Sequence, residues 1–251
     1  MPLTLLVTGA TAGFGEAITR RFIRDGHRVI ATGRRTDRLR ALQAELGPNV
    51  AIHALDVTDA KAVAALPGSL PAGFQAVDVL VNNAGLALGV APAQQANIDE
   101  WETMVATNIA GLMRMTRVLL PGMLERDRGH IVNLGSTAAT FPYPGGNVYG
   151  ASKAFVTHFS ANLKCDLVGT NVRVTDVSPG LVGGSEFSSI RFGGDKEKAA
   201  AVYAGTTPLT PEDIAETVAW VVNLPAHVNI NRVEMMPTCQ SAGPLMIKRK
   251  S

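Results

Sequence analysis

Tyr149 and Lys153 stand four residues apart in the run Tyr-Gly-Ala-Ser-Lys, a spacing that puts a phenol and an ammonium on one helix face. A cation held beside a buried phenol favours the phenolate and lowers its pKa from the reference value of about 10, which suits proton transfer near neutral pH. The expectation is a Tyr149 more acidic than an ordinary tyrosine. The pair also has a plain reading, a core ring beside a solvated charge, so the elements around it decide its meaning.

The segment Thr8-Gly9-Ala10-Thr11-Ala12-Gly13-Phe14-Gly15 follows an apolar run at 3–8 and opens a helical pattern through Ile18, Phe22 and Ile23 that stops before Gly26. A doubly wound sheet binds a dinucleotide pyrophosphate at such a strand, turn and helix, because glycines let the backbone approach and the helix N-terminus offers free N–H groups. The spacing is G-x-x-x-G-x-G. A flexible turn would also use glycine, but the flanking strand and helix favour a phosphate cradle.

The end of the second strand then selects the cofactor. A carboxylate there would accept the ribose hydroxyls of NAD; Gly33-Arg34-Arg35 offers guanidinium forks, which suit the 2′-phosphate of NADP(H). Arg34 is expected on the phosphate, and Arg35 is the one more readily read as a solvated loop charge. Asp56, before Val57, is placed either at the adenine edge or as a cap on the next helix.

Strand and helix patterns alternate along the chain: strands at 28–32, 50–55, 77–81, 130–134, 172–177 and 233–235, and helices at 36–46, from 59, from 99 to about 124, at 147–167 with Asn147 as N-cap, and from Pro211 after Thr210. Strands rich in Val, Ile and Leu without polar alternation fit a parallel sheet covered on both faces. With the first strand this makes seven, and the fold class is α/β: a single-domain, Rossmann-type, doubly wound seven-stranded parallel sheet with helices on both faces, spanning residues 1–251.

Composition narrows the partners. Hydrophobic residues are 46% and charged residues 18% of the 251, with no low-complexity linker, and the net charge of +2 provides no field for nucleic acid or an anionic membrane. Lys248, Arg249 and Lys250 read as a solvated tail. No apolar run reaches membrane-span length, and the first twenty residues lack a signal-peptide pattern, so a cytoplasmic protein with reduced Cys165 and Cys239 is expected. His27, His53, His130, His158 and His227 show no paired spacing, and no metal site is expected.

These motifs together resemble the short-chain dehydrogenase/reductase family: the glycine pattern at 8–15, Asn82-Asn83-Ala84-Gly85 after the fourth strand, Asn108, Ser136, Tyr149, Lys153 and Pro179-Gly180, in the family's order over nearly the whole chain. The resemblance implies Tyr149 as general acid/base, Lys153 as the group that lowers its pKa and holds the nicotinamide ribose, Ser136 on the carbonyl oxygen, and Asn108 as anchor of a water relay. It also implies cofactor contacts from Asn83, from Pro179-Gly180-Leu181-Val182, and from Ser185, which stands where the family usually has threonine.

Longer stretches from Asn82, Pro179 and Leu224 look like the NADP-dependent 3-hydroxy acid dehydrogenases, which oxidise serine, allo-threonine and related acids and reduce malonic semialdehyde, and like the related sulfoacetaldehyde reductases. An anionic substrate in a closed pocket requires a cation, and Arg191 in Ser-Ser-Ile-Arg-Phe is the candidate, with Ser136 and Tyr149 on the reacting oxygen. A lid is expected at about 181–207, with Gly180, Gly183 and Gly184 as bends, and Phe141 and Tyr143 either wall the pocket or pack their loop. The likeness also implies a homotetramer built as a dimer of dimers, pairing the helices from 99 and 147, although plain burial explains their apolar faces, such as Phe155, Val156 and Phe159, equally well. Alternatives are a reductase of larger neutral ketones and a non-catalytic dinucleotide sensor; the second tolerates loss of the tyrosine or lysine, and here Asn108, Ser136, Tyr149 and Lys153 are all present.

Overall fold

A computed structural model describes residues 2–243; the basic residues Lys248, Arg249 and Lys250 lie outside the described residues. The apolar, β-branched runs form β1 (Thr4–Val7), β2 (Arg28–Gly33), β3 (Val50–Ala54), β4 (Val79–Asn82), β5 (Gly129–Leu134), β6 (Val172–Pro179) and β7 (Arg232–Met235). They build one seven-stranded sheet in the order β3-β2-β1-β4-β5-β6-β7, with every neighbouring pair parallel.

Parallel neighbours need long crossovers, and helices supply them. These are α1 (Gly13–Arg24), α2 (Thr36–Leu46), α3 (Ala60–Ser69), α4 (Ile98–Met104), α5 (Leu112–Glu125), α6 (Asn147–Asp166), α7 (Phe187–Arg191), α8 (Lys196–Ala201) and α9 (Pro211–Val222). Their starts follow from side-chain chemistry: Asp59 accepts N–H bonds from Lys61 and Ala62 ahead of α3, and Thr210 with Asp213 closes a capping box ahead of α9. Asn147 is a correction. It sits inside the first turn of α6, after Gly146, and its amide donates to the Ala91 carbonyl at 3.1 Å, so it fastens a loop rather than capping the helix.

Successive strand residues face opposite layers, which is why the strands show no polar alternation. Leu5 and Val7 pack with Ile18 and Phe22 of α1 and Ile214 and Val218 of α9, whereas Leu6 and Leu80 pack with Leu66 of α3 and Met115 of α5. Phe22 is fully buried and contributes about 1.5–3 kcal/mol.

The sheet order reverses between β1 and β4, and ligands of such sheets bind at the strand C-termini beside that reversal. Here a polar clasp joins the two strand ends. The Thr8 hydroxyl accepts from the Asn83 and Ala84 N–H groups at 3.0 and 2.9 Å, and the Asn83 side-chain amide donates to the Thr8 carbonyl at 2.8 Å. Asn83 therefore braces the crevice at the point where β1 and β4 part.

Candidate active site

The glycine loop leaves β1 with Gly9 in the left-handed region at φ 67°, which a side chain would strain. A Cβ on Gly15 would run into the Gly9 carbonyl and the Asn83 side chain, so the loop closes this tightly only with glycine there. Unlike α3 and α9, α1 starts from Ala12 with no side-chain cap. Its first N–H groups are left for an anion, as a pyrophosphate site requires.

One cavity of about 510 Å³ runs from Arg34 and Arg35 past this loop to Ser136, Tyr149 and Lys153. Gly9, Thr11, Ala12, Gly13, Phe14, Asp56, Val57, Asn83, Pro179, Gly180, Leu181, Val182, Ser185 and Arg191 also line it. Ala10, Gly15 and Asn108, all read from sequence as site residues, stand behind the wall: Ala10 is fully buried with its N–H on the Thr32 carbonyl, Gly15 is in close contact with Gly9, and Asn108 lies inside a helix. They shape the cavity rather than face it.

Both arginines line the cavity, and Arg35 departs from the solvated loop charge it reads as in sequence. Arg34 is 72% exposed and only 3.8 Å from Asp56, whereas Arg35 is engaged, donating Nε and Nη2 to the Thr11 hydroxyl at 3.1 and 2.9 Å and Nη1 to Glu186 at 2.7 Å. Thr11 follows the glycine turn, so the loop itself orients Arg35, a contact that adjacent positions in sequence do not reveal. Asp56 accepts from the Thr58 N–H and hydroxyl at 2.9 and 2.8 Å, leaving the cap of α3 to Asp59.

Tyr149 and Lys153 share a buried face of α6. The Lys153 ammonium donates to the Leu134 carbonyl at 2.7 Å, and burial lowers its pKa to about 8. Contrary to the lowered value expected from its neighbour, burial pushes the Tyr149 phenol up to about 12, against opposing pulls from the Ser136 hydroxyl and the Arg191 charge. Spacing gives proximity but not desolvation, and desolvation is the larger effect. Ser136 opens a short turn, accepting from the Ala138 N–H at 3.1 Å, while Asp176 backs against Gly135 so closely that a Cβ there would collide with its carboxylate.

Asn108 lies in a π-helical segment, Val105–Gly111, that joins α4 to α5. Such a bulge commonly marks a functional position. Asn108 accepts from the Leu86 N–H and donates to the Leu86 carbonyl and the Ser152 hydroxyl, each within 3.0 Å, tying the loop after β4 to α6.

Beyond β6 the chain crosses the cavity mouth. Gly184 turns it in the left-handed region at φ 70°, whereas Gly183 is short of space against Pro208 and Gly180 lies against the Gln240 amide. The Arg191 guanidinium lies over two rings, its Cζ 5.2 Å from the Tyr143 centroid and 5.7 Å from that of Tyr149, and Nη2 donates to the Tyr143 hydroxyl at 2.9 Å. Phe187 packs against Tyr149 at 5.8 Å, and Tyr143 and Phe141 both line the cavity. Sequence reading missed Phe187 and Glu186; nothing in their spacing points inward, and only the path of the segment places them.

Buried His130 bonds Thr175 at 2.8 Å, and His27 accepts from the Leu3 N–H at 3.0 Å. Among the described residues no helix is long and apolar enough to cross a membrane, and no group of three or more His, Cys, Asp or Glu could hold a metal.

The family pattern described as short chain dehydrogenase matches residues 3–191. The chain is 63% identical over 247 residues to an NADP-dependent 3-hydroxy acid dehydrogenase of Salmonella typhimurium, covering 98% of this chain and 100% of that protein. It is 50% identical over 248 residues to a serine 3-dehydrogenase of Rhizobium radiobacter, covering 99% of each. A solved structure described as the closed form of serine dehydrogenase complexed with NADP+ superposes with a TM-score of 0.95 at 60% identity, over 99% of this chain and 100% of that one.

Proposed function

From the premise that the chain belongs to the short chain dehydrogenase family, we propose that it is an NADP(H)-dependent oxidoreductase that interconverts small 3-hydroxy acids, such as serine, allo-threonine and 3-hydroxypropionate, with their carbonyl forms. The observation that carries the substrate class is Arg191 over the Tyr149 ring, an anion clamp beside a proton donor. A neutral ketone would leave that guanidinium unused.

The cavity fits the cofactor: Arg35 and Arg34 at one end for the 2′-phosphate, the uncapped start of α1 for the pyrophosphate, Lys153 at the other end for the nicotinamide ribose, and Ser185, beside the glycine loop, for the amide. When bound, NADP(H) supplies or takes up the hydride. In the reducing direction the Tyr149 phenol, protonated near neutral pH, gives its proton to the developing alkoxide, and Ser136 donates a hydrogen bond to the same oxygen. In oxidation Tyr149 takes the proton back, with Lys153, Arg191 and Ser136 stabilising the phenolate. Asn108 holds the loop after β4 against α6 and so keeps Lys153 in register.

The whole chain works as one dinucleotide-binding and catalytic unit, with residues at about 181–207 as a lid over cofactor and substrate. We read it as a homotetramer of cytoplasmic location. The exposed Ile98, Val105 and Met113, from α4 through the π-helical segment to α5, and Trp220 on α9, support the first, and the free thiols of Cys165 and Cys239 support the second. The test is a set of parallel rates with NADP+ on L-serine, 3-hydroxypropionate, isethionate and a neutral secondary alcohol, with NAD+ as control. The hydroxy acids should exceed the alcohol and NADP+ should exceed NAD+; isethionate leading would move the assignment to sulfoacetaldehyde reduction, and the alcohol leading would remove Arg191 from substrate binding.

A further inference from the structure

Helix α7 is tied down at both ends. Arg191, its last residue, reaches Tyr143, and its N–H and carbonyl neighbourhood joins the loop after β4: the Gly89 N–H donates to the Arg191 carbonyl at 3.0 Å. Glu186, immediately before the helix, crosses to the opposite wall, where its two carboxylate oxygens meet Arg35 at 2.7 Å and Arg38 at 2.9 Å. Beside it, Ser185 rests on the glycine loop, 3.1 Å from where a Cβ of Gly13 would be. Inside the lid the Ser188 hydroxyl and the Tyr203 phenol share a 2.6 Å hydrogen bond, so α7 and the chain beyond α8 are joined to each other.

We propose that Glu186 is a positioning residue that holds α7 across the cleft and thereby fixes Arg191 over Tyr149, using as its anchor the arginine that faces the cofactor 2′-phosphate. The proposal rests on the substrate and cofactor reading given above. The charge pattern argues for a specific latch. Three guanidinium groups, those of Arg34, Arg35 and Arg38, crowd this wall, and Glu186 is the carboxylate that bridges two of them, while Asp56 lies 3.8 Å from the third. Arg35 spends Nε and Nη2 on Thr11 and one Nη1 hydrogen on Glu186, so its fork still has N–H groups for a phosphate. Cofactor and lid can therefore share Arg35. A link of this kind makes lid position depend on the phosphate end of the cleft, and by reciprocity makes cofactor affinity depend on the lid.

Both ion pairs are partly exposed, with side-chain exposures of 39% for Glu186, 39% for Arg35 and 46% for Arg38, so the effect is a few-fold rather than a hundredfold. The variants are Glu186→Gln, Arg38→Gln and the double variant, with Arg35 left intact because it faces the cofactor. The first measurement is hydrogen exchange of residues 185–203 in the cofactor-free enzyme, expected to rise about fivefold in Glu186→Gln, by less in Arg38→Gln, which keeps the Arg35 pair, and no further in the double than in Glu186→Gln. The second is the Michaelis constant for L-serine with saturating NADP+, expected to rise about fivefold with kcat little changed, since α7 binds ground and transition states alike. Unchanged exchange in Glu186→Gln, or single effects that simply add in the double variant, would overturn the latch. If the wild type failed to oxidise L-serine while exchange still rose in the variants, the substrate reading would fall and the latch would stand.

Discussion

The Arg191 guanidinium carbon lies 5.7 Å from the centre of the Tyr149 ring, which brings the end of α7 to the residue proposed to handle the proton. The same guanidinium donates to the Tyr143 hydroxyl at 2.9 Å, so it is held in the cavity rather than waving in solvent.

Exchanging Arg191 for Met keeps the bulk and removes the charge. A charge-assisted bond of about 1.5–3 kcal/mol corresponds to a rise of roughly tenfold to hundredfold in the Michaelis constant for L-serine and other acids. NADPH affinity should stay the same, as measured by fluorescence titration; an unchanged constant would take Arg191 out of the substrate site.

The two arginines after β2 should behave unequally. Because Thr11 orients Arg35 and Arg34 is largely solvated, Arg35→Ala should weaken NADPH binding at least about tenfold, and Arg34→Ala by less. NADH binding should change less than about threefold in either variant. Titration of each with both cofactors checks this, and a larger loss in Arg34→Ala would reverse the assignment.

Much of the fold is legible in the residues. The second helix occupies 36–46 as read, because Asp37 favours its first turn and Gly47 stops it, and α9 starts after the Thr210 cap for equally local reasons. Local chemistry of this sort travels with the sequence. The glycine loop is legible for the same reason. What was not legible depends on contacts between distant segments. Arg35 gains its importance from Thr11 and Glu186, 24 and 151 residues away. Asn147 has a capping side chain but spends its amide on Ala91. For Tyr149, a neighbour four residues along is visible in sequence, while its burial comes from distant packing against Ala87, Met104 and Phe187, which sequence does not show.

Burial of Lys153 carries a pH signature. Its folded pKa of about 8 lies below the ordinary lysine value near 10.4, so between those values the unfolded chain binds more protons and stability rises with pH. Tyr149, pushed up to about 12 from about 10, acts in the opposite sense above pH 10, where the folded protein binds more protons and stability falls. Lys153→Met, which removes the buried charge, should be more stable than the wild type at pH 7.5, and that advantage should shrink by roughly 2 kcal/mol by pH 9.5. Urea unfolding at the two pH values measures it. A gap independent of pH would mean that the ammonium stays charged throughout.

Everything in the proposed chemistry passes through one hydroxyl, and removing it is the most direct trial. Tyr149→Phe, assayed with NADP+ and L-serine alongside an NADPH binding titration, should lose at least about 10³-fold in kcat, within the range for removing a general acid/base, while cofactor affinity is unchanged. Turnover within about tenfold of the wild type, with the cofactor still bound, would contradict the assignment of the proton to Tyr149.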